Sequence, residues 1–170
     1  MSARKITGLA NGTQATDAMA FGQLITVQKV SAQTTVSSAT ASTTFVPMNI
    51  VKSITPTSAS NKVRITVSFL LDVASTALGN QCVFSIFKSS TTNLGNATQG
   101  FGFTTNELSS VTADTGARIA IVFEDSPGTT SPVWYGIYML DAGVSAGSGT
   151  CTTSISSQPA QIILEEVTPG

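Results

Sequence analysis

The sequence predicts an all-β fold of two antiparallel sheets packed face to face, and three observations carry that prediction. Residues 63–72, VRITVSFLLD, alternate cleanly: Val63, Ile65, Val67, Phe69 and Leu71 fall on one side, and Arg64, Thr66, Ser68, Leu70 and Asp72 on the other. A period of two built from β-branched and aromatic side chains is a half-buried strand. Segments of comparable length recur down the chain between runs rich in Ser, Thr, Gly, Pro and Asn, which is the spacing of a sandwich. Helical periodicity occurs only in a short stretch near the N-terminus.

Composition narrows the function. A chain of 170 residues forms one domain able to bury a sizeable core. Ser and Thr supply 48 residues and charged residues only 10 %, which favours strands with uncharged, hydrogen-bonding surfaces. The net charge is −1, with Lys and Arg scattered; nucleic acid and anionic membranes need concentrated positive charge, so neither is an expected partner. No apolar run approaches the roughly 20 residues that cross a bilayer. Arg4 and Lys5 are followed by a polar Gly/Asn/Thr segment, so no signal peptide is expected. Histidine is absent, which removes the usual general base and the commonest metal ligand. Neither metal nor cofactor is expected. Cys82 shares a strand face with Phe84 and Ile86 and reads as a buried free thiol; pairing with Cys151 requires backbones within about 7 Å, which the spacing does not establish.

Residues 4–24 differ from the rest. Ile6 and Leu9 are isolated apolar anchors, Asn11-Gly12 is a turn signal, and Thr16 or Asp17 caps a short helix with Ala20, Phe21 and Leu24 on one side. Such a helix is unstable alone in water and must pack on something; neighbouring copies can supply the surface, and otherwise the segment is a disordered arm. The spacing Ile6-x-x-Leu9-x-x-Gly12, then Asp17-Ala18 and Gln23-Leu24, resembles the neck of trimeric autotransporter adhesins, which recurs in phage tail fibres. That resemblance implies trimer contacts at Ile6, Leu9, Asp17, Ala18, Gln23 and Leu24. Met19-Ala20-Phe21 departs from the family's usual Val-Asn-Val/Ala. The chain therefore divides into a neck or attachment segment, 1–24, and a head, 25–170.

Strands are expected in turn at 24–31 and 44–54, the second interrupted by Pro47 and so at an edge or bulge. Between them, 32–43 reads as a long loop or ragged edge strand. Ile54, Thr55, Pro56, Ser58, Asn61 and Lys62 then resemble a stretch found in the jelly-roll heads of phage tail fibres, which are similar to the tumour-necrosis-factor-like fold. The resemblance implies an antiparallel, two-sheet, homotrimeric head. Residues 81–88 are apolar on both faces and read as a central strand; 101–103 form a short aromatic strand. Residues 118–124 turn Ile119, Ile121 and Phe123 inward. In 134–141, Tyr135, Ile137 and Met139 oppose Trp134, Tyr138 and Leu140. Residues 151–156 and 161–167 close the sheets.

Catalysis finds little support. Glycoside hydrolysis needs two carboxylates facing each other at about 5 Å or 6.5–9.5 Å, whereas the neighbours Glu124-Asp125 and Glu165-Glu166 point to opposite faces of a strand. Glu165-Glu166 reads as a charged terminal strand that discourages edge pairing. Trp134 and Tyr135 beside a Pro-containing loop are candidate contacts for a sugar ring, with core packing the duller explanation of the same residues. Val83, Phe87, Leu70, Val122, Tyr138 and Leu140 occupy outward positions; so much outward apolar surface calls for a three-fold assembly, the alternative being that they lie under loops or against a second element of the same chain. The expected function is a bacteriophage structural fibre or spike, not an enzyme. Its head binds a host-surface receptor, glycan or protein, and its N-terminal segment attaches to other virion proteins. It would be assembled in the host cytoplasm and reside in the virion. The alternatives are a head-fibre or capsid-decorating protein without a receptor, and a carbohydrate-active enzyme.

Overall fold

A computed structural model describes residues 26–75, 80–106, 113–143, 149–153 and 158–168. The neck residues Ile6, Leu9, Asp17, Ala18, Gln23 and Leu24 lie outside them. In chain order the strands are β1 (Thr26–Thr34), β2 (Ser38–Thr40), β3 (Val46–Ile54), β4 (Lys62–Ser75), β5 (Asn80–Lys88), β6 (Thr92–Asn93), β7 (Gly102–Asn106), β8 (Ala113–Asp125), β9 (Val133–Gly143), β10 (Thr150–Thr153) and β11 (Ala160–Val167). No helix occurs among the described residues.

Two antiparallel sheets form, each effectively four rungs wide. In the first, β8 pairs along the whole of β4, and the other edge of β4 is shared end to end by β11 and β10. Beyond these lie β1, beside β11, and β2, beside β10. In the second, the order is β3–β9–β5, with β6 and β7 sharing the far edge of β5. From β2 onward the chain changes sheet at every connection except β5–β6–β7 and β10–β11.

The core is what the alternation of β4 requires. Val63, Ile65, Val67, Phe69, Leu71 and Val73 have no exposed surface, and they face Phe84, Ile86, Ile137 and Met139 of the other sheet. Phe69 and Phe84 meet edge to face at 5.5 Å between centroids, a favoured arrangement for ring quadrupoles. Pro47 sits in an edge strand whose register is irregular between Pro47 and Val51; it lacks the N–H that an inner strand would need. The stretch at 32–43, expected as a long loop or ragged edge strand, takes the second form in part. β1 runs on to Thr34 and β2 follows, because β11 and β10 offer them an edge.

Two sequence readings are corrected. Cys82 and Cys151 are joined in a disulfide, with Cα atoms 5.4 Å apart, and both residues are fully buried. Each stands on the inner side of its strand, so stacking the sheets brings β5 and β10 together. Glu165-Glu166 does not guard an edge either, since β11 lies between β1 and β4. Glu165 faces out to Lys29 at 3.5 Å, while Glu166 faces in and is fully buried.

The loop between β6 and β7 is held by its own amides. Asn96 Oδ1 accepts hydrogen bonds from Thr98 N, Thr98 Oγ1 and Gln99 N at 2.9–3.0 Å, and Asn93 Oδ1 accepts from Gly95 N and Ser85 Oγ. The loop closes at Gly100, φ +54°, where a Cβ would stand 2.0 Å from the Phe84 carbonyl oxygen. Both the left-handed backbone and the lack of space demand glycine. Gly100→Ala should lower unfolding stability by about 2 kcal/mol in urea; a loss below about 0.5 kcal/mol would mean that the loop shifts freely.

The sandwich has two distinct ends. Thr26, Lys62, Asp125 and Val167 gather at one end of the first sheet, and Ile54, Lys88 and Val133 at the same end of the second; the Lys88–Asp125 ion pair, 3.1 Å, links the two. At the opposite end lie Ser75, Asn80, Asn106, Ala113, Gly143 and Thr150.

Candidate functional site

The outer faces of the two sheets differ in kind. On the first, strand register sets Lys29, Glu165, Arg64 and Glu124 in one row of alternating charge across four strands. Arg64 donates to Glu124 Oε1 from Nε at 3.3 Å and Nη2 at 3.1 Å, and Lys62 adds a contact at 3.7 Å. Exposed pairs of this sort contribute little stability each, but they keep the face hydrated. Leu70 and Val122 belong to this face, Val122 well exposed.

The second sheet presents Val51 from β3, Trp134, Gly136, Tyr138 and Leu140 from β9, and Val83 and Phe87 from β5. Among the described residues, no Asp, Glu, Lys or Arg stands at an outward position of these three strands. Phe87 and Tyr138 stack with centroids 4.1 Å apart, and Phe45 leans on Phe87 at 5.4 Å. Two depressions flank this cluster. One, of about 250 Å³, is lined by Pro47, Val51, Phe87, Trp134, Gly136 and Tyr138. Gly136 leaves bare backbone between the two β9 rings; a Cβ there would press to 3.3 Å from Ile50 O. The other, of about 410 Å³, lies between residues 43–45 and 97–98 over Leu140. These lapping segments explain why Leu140 is buried although it points outward; Val83, between Leu140 and Phe103 on the neighbouring strands, is buried too.

The two candidate ligand contacts part company. Trp134 is 53 % exposed on the outer face, whereas Tyr135 is fully buried on the inner one and offers no ring to a ligand. Alternation along β9 makes this unavoidable. Tyr135 Oη donates to Asp125 Oδ2 at 2.7 Å, and Lys88 Nζ approaches the same oxygen. Burial, reinforced by the hydrogen bond to Asp125 and its charge, pushes the Tyr135 hydroxyl pKa far above its ordinary value.

The acidic neighbours divide as alternation requires. Glu124 faces solvent with Arg64, while Asp125 faces Tyr135 and Lys88. Asp141 is buried and accepts from Gly149 N at 3.0 Å. Among the described residues, no group of three His, Cys, Asp or Glu is placed to hold a metal ion.

The polar centre that sequence reasoning missed is Glu166. Its Oε1 accepts from Thr57 N at 2.7 Å, Thr57 Oγ1 at 2.8 Å and Asn61 Nδ2 at 2.7 Å, and its Oε2 accepts from Gln28 Nε2 at 2.6 Å. The carboxylate thereby pins the crossover from β3 to β4 under the sandwich. Compared with known proteins, the chain matches no family model and no curated protein sequence.

Proposed function

We propose that the chain is the head of a homotrimeric bacteriophage fibre or spike, tethered to the virion through its N-terminal segment and binding a host-surface receptor at its far end. The observation that carries this reading is the polarity of the sandwich. The chain enters β1 and leaves β11 at one end, and the ends of β4, β5, β7, β8, β9 and β10 gather at the other. An attached head needs that arrangement, with the tether behind and a free end in front. The strand orders β1–β11–β4–β8 and β3–β9–β5–β7 support a double-sheet jelly roll, an architecture used by viral capsid and lectin domains. The disulfide suits a particle that works outside a reducing cytosol. A glycan is the favoured receptor class, given the hydroxyl-rich, weakly charged surface.

Removing residues 1–24 should leave a folded head that no longer joins particles, and the purified full chain should block adsorption of the phage to its host. A chain that enters particles normally without residues 1–24 would refute the tether. Normal incorporation of the full chain without any block of adsorption would favour a decorating protein with no receptor.

A further inference from the structure

We infer that the uncharged outer face of the second sheet is the surface through which copies of this chain meet, with Trp134 inside the contact. The inference rests on the homotrimer proposed above and names its interface. The first argument is charge. A row of alternating charges crosses the outer face of the other sheet, and among the described residues none stands at an outward position of β3, β9 or β5. Depletion of charge with aromatic enrichment marks the centre of a protein interface, and a second copy brings the same uncharged face.

Area gives the second argument. Four rungs about 4.8 Å apart, along the run from Trp134 to Ala142 at about 3.4 Å per residue, span about 500 Å². Residues 43–45 and 97–98 lap over the Leu140 end, so the open part is the smaller area around Val51, Trp134, Gly136 and Tyr138, of the few-hundred-Å² size that on a monomer is often functional. Around a three-fold axis each copy gives different parts of this face to its two neighbours, so the three faces close on one another. The third argument is the edge. Pro47 and the irregular register beside it deny β3 a regular ladder for adding another strand, so association falls to the face. Trp134 also lies at the end where β1 begins, on the side of the tether and away from the free end.

Trp134 is the sole tryptophan, which makes the unmodified full chain its own probe. Sedimentation equilibrium should give a trimer, and its emission should shift to the red on dilution as the trimer dissociates. Introducing Val51→Asp with Trp134→Glu, both at exposed positions, should weaken association at least a hundredfold. Val122→Asp on the other face should not, and circular dichroism checks that each variant folds. A wild-type monomer would overturn the trimer itself. A trimer whose tryptophan emits as a solvent-exposed indole, or that survives the double substitution unweakened, would overturn only this interface. So would a trimer whose emission responds to a neutral oligosaccharide such as maltoheptaose, because the groove would then be open.

Discussion

Unfolded in urea with and without reductant, the chain should differ in stability by about 4 kcal/mol in favour of the oxidised form. Cys82 and Cys151 are 69 positions apart, and closing a loop of that size in the unfolded chain removes about 4 kcal/mol of conformational freedom. For a domain of this size that corresponds to roughly 8–16 °C in Tm. The bond also joins β5 of one sheet to β10 of the other, beside the hydrogen bond from Gly149 N to Asp141 that links β9 to the start of β10. Both cysteines are fully buried, and a reductant added to the folded protein should act slowly, through opening of the sandwich. Intact mass after alkylation under denaturing conditions counts the thiols directly. Two alkylated cysteines in protein never exposed to reductant, or a difference in stability below about 1 kcal/mol, would show that the cross-link does not stabilise the fold.

What was legible in the sequence is what period-two patterning encodes. The β4 alternation gave its buried face residue for residue, and Ile119, Ile121 and Phe123 are inward as the pattern required. Pro47 announced an edge strand because a missing N–H is a local property. Facts that depend on how strands stack were not legible. Cys82 and Cys151 each read as inward residues, but only the face-to-face packing of β5 and β10 brings them together. Glu165-Glu166 was read as an edge because β11 ends the described chain, whereas β1 pairs along its outer side. Tyr135 was paired with Trp134 by adjacency, although adjacent strand residues point to opposite faces; the outward partner of Trp134 is Tyr138, two alternations further on. The uncharged face was partly visible in Phe87, Tyr138 and Leu140. Its extent emerged only when β3 and β5 were set on either side of β9.

Glu166 should dominate the acid limb of stability. Burial alone would raise its pKa; the hydrogen bonds from Asn61, Gln28 and Thr57 outweigh burial and lower it from 4.5 to about 2. A carboxylate whose pKa is depressed by folding stabilises the protein fully above its unfolded value, and that stability is lost as pH falls through the folded one. The window is therefore pH 4.5 down to about 2, and the loss across it is about 3 kcal/mol. Glu166→Gln keeps the shape and one acceptor oxygen but puts an amide N–H at the other, facing either Gln28 Nε2 or the pair Thr57 N and Asn61 Nδ2, which are themselves donors. A buried donor left facing donors loses its hydrogen bonds without regaining water. The variant should thus be about 3 kcal/mol less stable at neutral pH and show a flatter stability profile between pH 5 and pH 2. Because the carboxylate holds residues 57–61 against β11 and β1, the crossover should also lose amide-exchange protection at Thr57 N. An acid limb as steep in Glu166→Gln as in the wild type would assign the loss to other carboxylates.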